Sequence, residues 1–345
     1  MAGCSRSALS GLNGLFAVYK PPGIHWKRIR DTVESKLLNE LNTLDQPVIQ
    51  QQIRFVPSLI NNENGNETQL TVTQVPVLAS HPRVTGPRFV GLKVGAGHRL
   101  DWQSSGVLVL GVGNGNKQLN SLHHCHLTKE YIVKGSFGTA TEDFSNTGRV
   151  IERTTYDHIT QDRLDCIIAV VQGSHQRALL TYSDVDLKSQ EAYELVSRGL
   201  LRPMNKSPPI ITAIRCVHFS PPSFTLEIQC LHETQQYLRK LVHEIGLELR
   251  SSAVCTHVRR TRDGIFTVDN TLIRTQWDLP SILAAVQASQ LKVKSKLREN
   301  SWRLSASSEE GTCTGVKARG LEKGTHCLGA TSEGLNWGTL IQSSL

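Results

Sequence analysis

Ser105-Gly106-Val107-Leu108-Val109-Leu110-Gly111 is apolar at four successive positions and closed by glycine at both ends. Such a run reads as a buried strand. Gly97-His98-Arg99-Leu100-Asp101 precedes it, a polar, basic loop that ends in a carboxylate. The pattern therefore sets Asp101 at the rim of a hydrophobic sheet, beside two side chains able to meet a phosphate or a base. A carboxylate in that position can attack or deprotonate a sugar carbon. Loop aspartates more commonly cap their own neighbours, so His98-Arg99-Leu100-Asp101 alone leaves both readings open.

The rest of the chain supplies strands and helices without regular βαβ alternation, which points to an α+β fold with a mixed, mostly antiparallel sheet flanked by helices. Leu15 to Tyr19 reads as a strand running into the turn Lys20-Pro21-Pro22-Gly23. Trp26 to Leu41 has helical character, residues 45–75 read as a polar, irregular insertion with a loop tip at Asn61 to Glu67, and Leu70 to Val75 alternates like a strand. Gln118 to Cys125 reads as helix and Tyr131 to Val133 as strand. Leu164, Ile167, Ile168 and Val171 repeat at helical spacing, with Gly173 as the stop. Ala192 to Val196 reads as a short helix closed by Gly199. Ile210 to Phe219 and Phe224 to Cys230 are strands joined across Pro221-Pro222, and Leu238, Leu241, Val242 and Ile245 form a helical stripe with Arg239 beside it. Val258 to Phe266 reads as a basic turn entering a strand. Residues 279–298 read as a helix, and residues 299–345, rich in Ser, Gly and Thr, as a disordered tail.

With 345 residues, 39% of them hydrophobic, the chain can build one large core or two ordinary ones. The formal net charge of +8 suits a polyanionic partner. No apolar run is long enough to cross a bilayer. Cys4, Cys125, Cys166, Cys216, Cys230, Cys255, Cys313 and Cys327 are scattered with no C-x-x-C pair, which suits a reducing compartment rather than a disulfide framework or a zinc ribbon. His123-His124-Cys125-His126 lacks the second ligand pair that a zinc site draws from a separate segment, so it reads as a polar helix end and no metal is expected. Val107 to Gly115 resembles a strand entering a glycine-rich nucleotide turn, but the acidic residue such a fold wants is not at the end of the next strand. Before Asp31 there is no acidic residue, while Arg6, Lys20, Ser5, Ser7 and Ser10 are present. Residues 1–12 thus fit a mitochondrial targeting segment.

Several motifs then match one family in order along residues 13–275. Tyr19-Lys20-Pro21-Pro22-Gly23, the His98-Arg99-Leu100-Asp101 block, Lys129-Glu130-Tyr131, Phe137-Gly138 through Gly148, Ala192-Tyr193-Glu194 with Arg198-Gly199, Tyr237-Leu238-Arg239, and Val258-Arg259-Arg260-Thr261 with Gly264 and Phe266 together resemble the TruB-type pseudouridine synthases, and within them the animal mitochondrial branch. The resemblance implies a synthase domain over residues 13–278 without a PUA domain. It implies isomerisation of uridine to pseudouridine in mitochondrial RNA (messenger, transfer or ribosomal) in the matrix, with no cofactor, and with RNA-processing proteins as further partners. Asp101 would act on the ribose, Tyr131 would stack on the flipped uracil, and Arg239 would pair with Asp101.

The pairing also has a physical basis, because burial alone would raise a carboxyl pKa and a guanidinium keeps it ionised and fixed. RNA chemistry at a stacked carbon requires the nucleotide to flip out, which calls for a basic rim: Lys20, Lys93, His98, Arg99, Lys129, Arg259 and Arg260. The family's His position is Ala96 here, so His98 or Arg99 could fill the space of the flipped base. Trp102 stands where the family has Pro, and the segment from Gly23 to Asp101 is longer than in bacterial relatives. An RNA-binding scaffold without catalysis is the alternative reading of the same residues.

Overall fold

The computed structural model describes residues 9–44, 50–62, 65–183, 189–190, 193–194, 201–203 and 207–309. The chain divides into two compact units, Met1–Trp302 and Arg303–Leu345; apart from the last residues of α5, the first holds every feature discussed below. In chain order its elements are β1 (Gly14–Lys20), α1 (Trp26–Leu44), β2 (Gln51–Asn62), β3 (Gly65–Pro76), β4 (Val94–Ala96), β5 (Ser105–Val112), α2 (Gly115–His124), β6 (Lys129–Phe137), β7 (Thr139–Thr141), β8 (Val150–Arg153), α3 (Gln161–Thr181), β9 (Ile210–Ser220), β10 (Ser223–Leu231), α4 (Gln235–Glu248), β11 (Ala253–Asp263), β12 (Phe266–Thr267), β13 (Thr271–Leu272) and α5 (Leu279–Glu309).

Nine strands form one mixed sheet in the order β13-β1-β5-β11-β6-β10-β9, with β4 added to β5 and β12 to β11. The pairs β1/β13 and β5/β11 are parallel and the rest antiparallel. This is the expected α+β class. Every residue of β5 is buried, as its unbroken apolar run requires. One core lies where α3 and α4 cover β6 and β10, and another where α1 and the start of α5 cover β1 and β5. Burial of Leu238, Leu241, Val242 and Ile245 seats α4 on its sheet, each contributing roughly 1.5–3 kcal/mol.

Four local expectations change. Within the insertion at 45–75, residues 51–62 and 65–75 are not irregular, since β2 and β3 pair along their whole length; residues 45–49 and 63–64 lie outside the described residues. Helix α3 does not stop at Gly173 but runs to Thr181. A Cβ at Gly173 would meet nothing within 4 Å, and beyond it His175 is buried and hydrogen-bonded to the Tyr237 hydroxyl on α4, so tertiary packing carries the helix past its glycine. Val258 to Asp263 is strand rather than turn, with the turn at Gly264 and Ile265. Residues 299–309, grouped with the tail by composition, continue α5. Of the short helix at Ala192 to Gly199, Tyr193 and Glu194 are helical and the rest lies outside the described residues.

Candidate active site

Asp101 ends the loop that leads into β5, and three features hold it there. Leu100, 1% exposed, anchors the loop in the core. The Gly97 amide donates to the Val109 carbonyl at 2.9 Å. Behind the loop, Gly106 faces Arg260 in the parallel pairing of β5 with β11. Gly106 has φ +114, and a Cβ there would lie 2.0 Å from the Arg260 carbonyl oxygen. Only glycine allows the two strands to approach this closely.

Arg239 meets Asp101 from α4. Thr234 caps that helix by accepting from the Tyr237 amide, the apolar stripe turns inward, and Arg239 on the flank donates from Nη2 to Asp101 Oδ2 at 2.5 Å. Its Nη1 donates to Gln103 Oε1 at 3.0 Å, and Gln103 is itself held by the Thr147 hydroxyl at 2.7 Å. The guanidinium therefore fixes two side chains of one loop in a fork that a lysine could not reproduce. The Asp101 side chain is 39% exposed and the Arg239 side chain 14%, so the carboxylate is the half of the pair that a ligand can reach.

A cleft of about 610 Å³ opens in front of Asp101. Its walls include Trp26, His98, Arg99, Glu233 and Arg260. That volume is in the range of small-molecule sites and accommodates one nucleotide. Burial, reinforced by Lys129, pushes His98 down to about 3, so its imidazole is neutral at physiological pH and stacks on His123 with centroids 4.6 Å apart.

The basic residues separate into two groups. Arg99 is exposed and lies over the Trp26 ring at 4.9 Å; Lys27 and Arg30, which composition did not single out, face the same ring. Arg259 lies over the Tyr19 ring at 5.7 Å. Lys20, Lys129 and Arg260 do not belong to a solvent-facing rim, because they are 0%, 3% and 0% exposed. Lys129 pairs with Glu233 at 3.1 Å. Arg260 donates from Nε to the Val107 carbonyl and from Nη2 to the His98 carbonyl, and lies 3.5 Å from Asp263. Lys93 is exposed but sits beside Val112, at the end of β5 away from Asp101. Basic residue type alone carries no sign of which way a side chain faces, and three of these face inward.

Tyr131 is also fully buried, and its phenol donates to Glu233 Oε1 at 2.6 Å. Burial, with Glu233 beside it, pushes the phenol well above its usual range, so it stays a donor. Its ring packs in the core with Val133 and Leu226, which leaves no exposed face for stacking. Glu233 escaped the sequence reading because a lone glutamate between a strand and a helix carries no spacing signal.

Lys20 lies directly under the loop that carries Asp101. Its Nζ donates to the carbonyls of Ser104 at 2.6 Å, Pro21 at 3.2 Å and Trp102 at 3.3 Å. Burial lowers its pKa to about 8, against the opposing pull of Asp101. Because the folded value lies below the unfolded one, the penalty for its charge is present below about pH 8 and is relieved as pH rises toward 10.5. Urea unfolding of wild type and Lys20→Met at stepped pH will show wild type gaining stability relative to the variant across that window; parallel pH profiles would refute the assignment.

Residues 83–236 match the family model described as TruB family pseudouridylate synthase (N terminal domain). The mitochondrial pseudouridylate synthase TRUB2 of Xenopus tropicalis is 58% identical over 322 residues, covering 93% of this chain and 98% of its own. The Homo sapiens TRUB2 is 58% identical over 294 residues, covering 85% of this chain and 89% of its own. Homo sapiens pseudouridylate synthase TRUB1 is 30% identical over 289 residues, with 82% of this chain and 71% of its own covered.

Proposed function

Since this chain belongs to the TruB family of pseudouridylate synthases, we propose that Asp101 is the group that acts on the ribose of its target uridine. The chain is an RNA pseudouridine synthase, an isomerase, and is mitochondrial. The observation that supports Asp101 is its ion pair with Arg239 at the mouth of the cleft. The target nucleotide leaves its stack, which costs little in a loop, and enters beside Trp26 and Arg99. The Asp101 carboxylate either attacks C1′ as the N1–C1′ bond breaks or takes a ribose proton as that bond breaks; the uracil turns, and as C5 bonds to C1′ the Asp101–C1′ bond breaks or the ribose proton is returned. The C5 proton is lost and N1 gains one, so the product is an isomer and no cofactor is consumed. Arg239 holds Asp101 charged and aligned throughout. Arg99 and Arg259 serve phosphate, while Lys20, Lys129 and Arg260 act from within. His98 and Arg99 both border the space that the departing base vacates. Tyr131 reaches the base only if its ring is uncovered when RNA binds.

The substrate is mitochondrial messenger RNA in the first place, with transfer and ribosomal RNA also open, and the site of action is the matrix, where RNA-processing proteins are the natural partners. Pseudouridine mapping of mitochondrial RNA from cells lacking the protein, rescued with wild type or Asp101→Asn, tests this. Sites lost in the knockout return only with wild type. If Asp101→Asn restores the sites, Asp101 is not the reacting group and the proposal fails; if no site changes yet Asp101→Asn rescues every defect, an RNA-binding scaffold takes its place.

A further inference from the structure

Among the described residues, two buried polar atoms of cleft-lining side chains have no hydrogen-bond partner: Glu233 Oε2 and Arg260 Nη1. A buried acceptor and a buried donor left unsatisfied are each costly, and both residues line the same cleft as Asp101. Neither is free to turn away. His232, at φ +54, reverses the chain just before Glu233. Lys129 and Tyr131 then hold Oε1 at 3.1 and 2.6 Å, so the carboxylate is locked with Oε2 left over. Arg260 is locked by the carbonyls of Val107 and His98, which leaves Nη1.

We propose that these two atoms read the base, with Glu233 Oε2 accepting the N3–H of the flipped uracil and Arg260 Nη1 donating to an adjacent uracil carbonyl. An acceptor beside a donor matches the imide edge of uracil, where N–H stands next to C=O. Cytosine presents a bare N3 lone pair to the carboxylate, so it is repelled. The pairing deepens the proposed function and rests on it for the location of the base. Glu233 is here a specificity residue, distinct from the ribose chemistry of Asp101.

The test uses the full-length protein and a pool of RNA hairpins with randomised loops, made with uridine, with 3-methyluridine, or with cytidine in the loop. Affinity is read by fluorescence anisotropy and turnover by pseudouridine formation. Wild type will bind the uridine pool roughly tenfold to a hundredfold more tightly than the other two. Glu233→Gln offers an amide N–H, so it will narrow the gap and raise affinity for the cytidine pool, a gain that general loosening would not produce. Glu233→Asp, which keeps the charge but retracts it, will narrow the gap without that gain and serves if the Gln variant does not fold. A wild type that binds all three pools alike overturns the proposal, as does a folded Glu233→Gln with the wild-type preference. If wild type discriminates but makes no pseudouridine in any pool, the catalytic reading fails and base reading stands.

Discussion

Asp101→Asn lowers turnover of the purified protein on uridine-containing RNA by roughly ten-thousand-fold or more, the scale of losing a reacting group, while RNA affinity stays within about threefold. The separation is expected because phosphate contacts dominate affinity and Asn adds or removes none. The substitution is also sterically quiet. The Asn carbonyl can still accept from Arg239, which keeps its second bond to Gln103, and a side chain 39% exposed leaves no buried charge behind. Arg239→Lys is the informative companion. A lysine cannot reach Asp101 and Gln103 together, so the carboxylate keeps a charge partner but loses its orientation, and misplacement on that scale costs about a hundredfold in rate. Single-turnover assays at saturating enzyme, with affinity measured in parallel, separate the two effects. An Asp101→Asn protein with turnover near wild type would refute the proposed action of Asp101 on the ribose.

What was legible in the sequence was whatever the backbone had to do. The apolar run from Val107 to Leu110 had to be a buried strand, because each residue is apolar and pleating points them to both faces. The stripe on α4 had to seat that helix, and it carries Arg239 to Asp101 across 138 positions of sequence. The orientation of charge was not legible. Lys20, Lys129 and Arg260 read as solvated rim residues, yet each is buried among carbonyls or carboxylates from distant segments. Their partners can be identified only once the strands are in register. The same holds for Glu233, which becomes visible when β6 brings Lys129 and Tyr131 to it. The hairpin β2/β3 was obscured because its polar composition outweighed its alternation in the pattern.

The largest expected effect on stability comes from Asp263→Ala. Asp263 ends β11 beside Arg260, with its side chain 10% exposed. Burial works against its ionisation, but the charges of Arg260, first, and Lys129 outweigh that and hold its carboxyl below the usual range. Removing it leaves a guanidinium with 0% exposure and, among the described residues, no other carboxylate paired with it. Removing the partner of a buried charge of that kind costs about 3–5 kcal/mol, and the β5–β11 junction beneath the Asp101 loop takes the strain. Removing both charges is less severe than removing one. In Asp263→Ala/Arg260→Met the charge is gone, although the carbonyls of Val107 and His98 lose their donor, so the double variant stays less stable than wild type. A double-mutant cycle in urea therefore gives a coupling energy of about 2 kcal/mol or more. The pH sign is fixed as well. A depressed folded pKa means that the Asp263 contribution is present above the unfolded value of 3.8 and is lost as pH falls through the lower folded value. The stability gap between wild type and Asp263→Asn must then close under acid and persist at neutrality. A gap that is constant with pH, or a coupling near zero, would mean that Arg260 is held by its carbonyl acceptors alone and that Asp263 is incidental to the site.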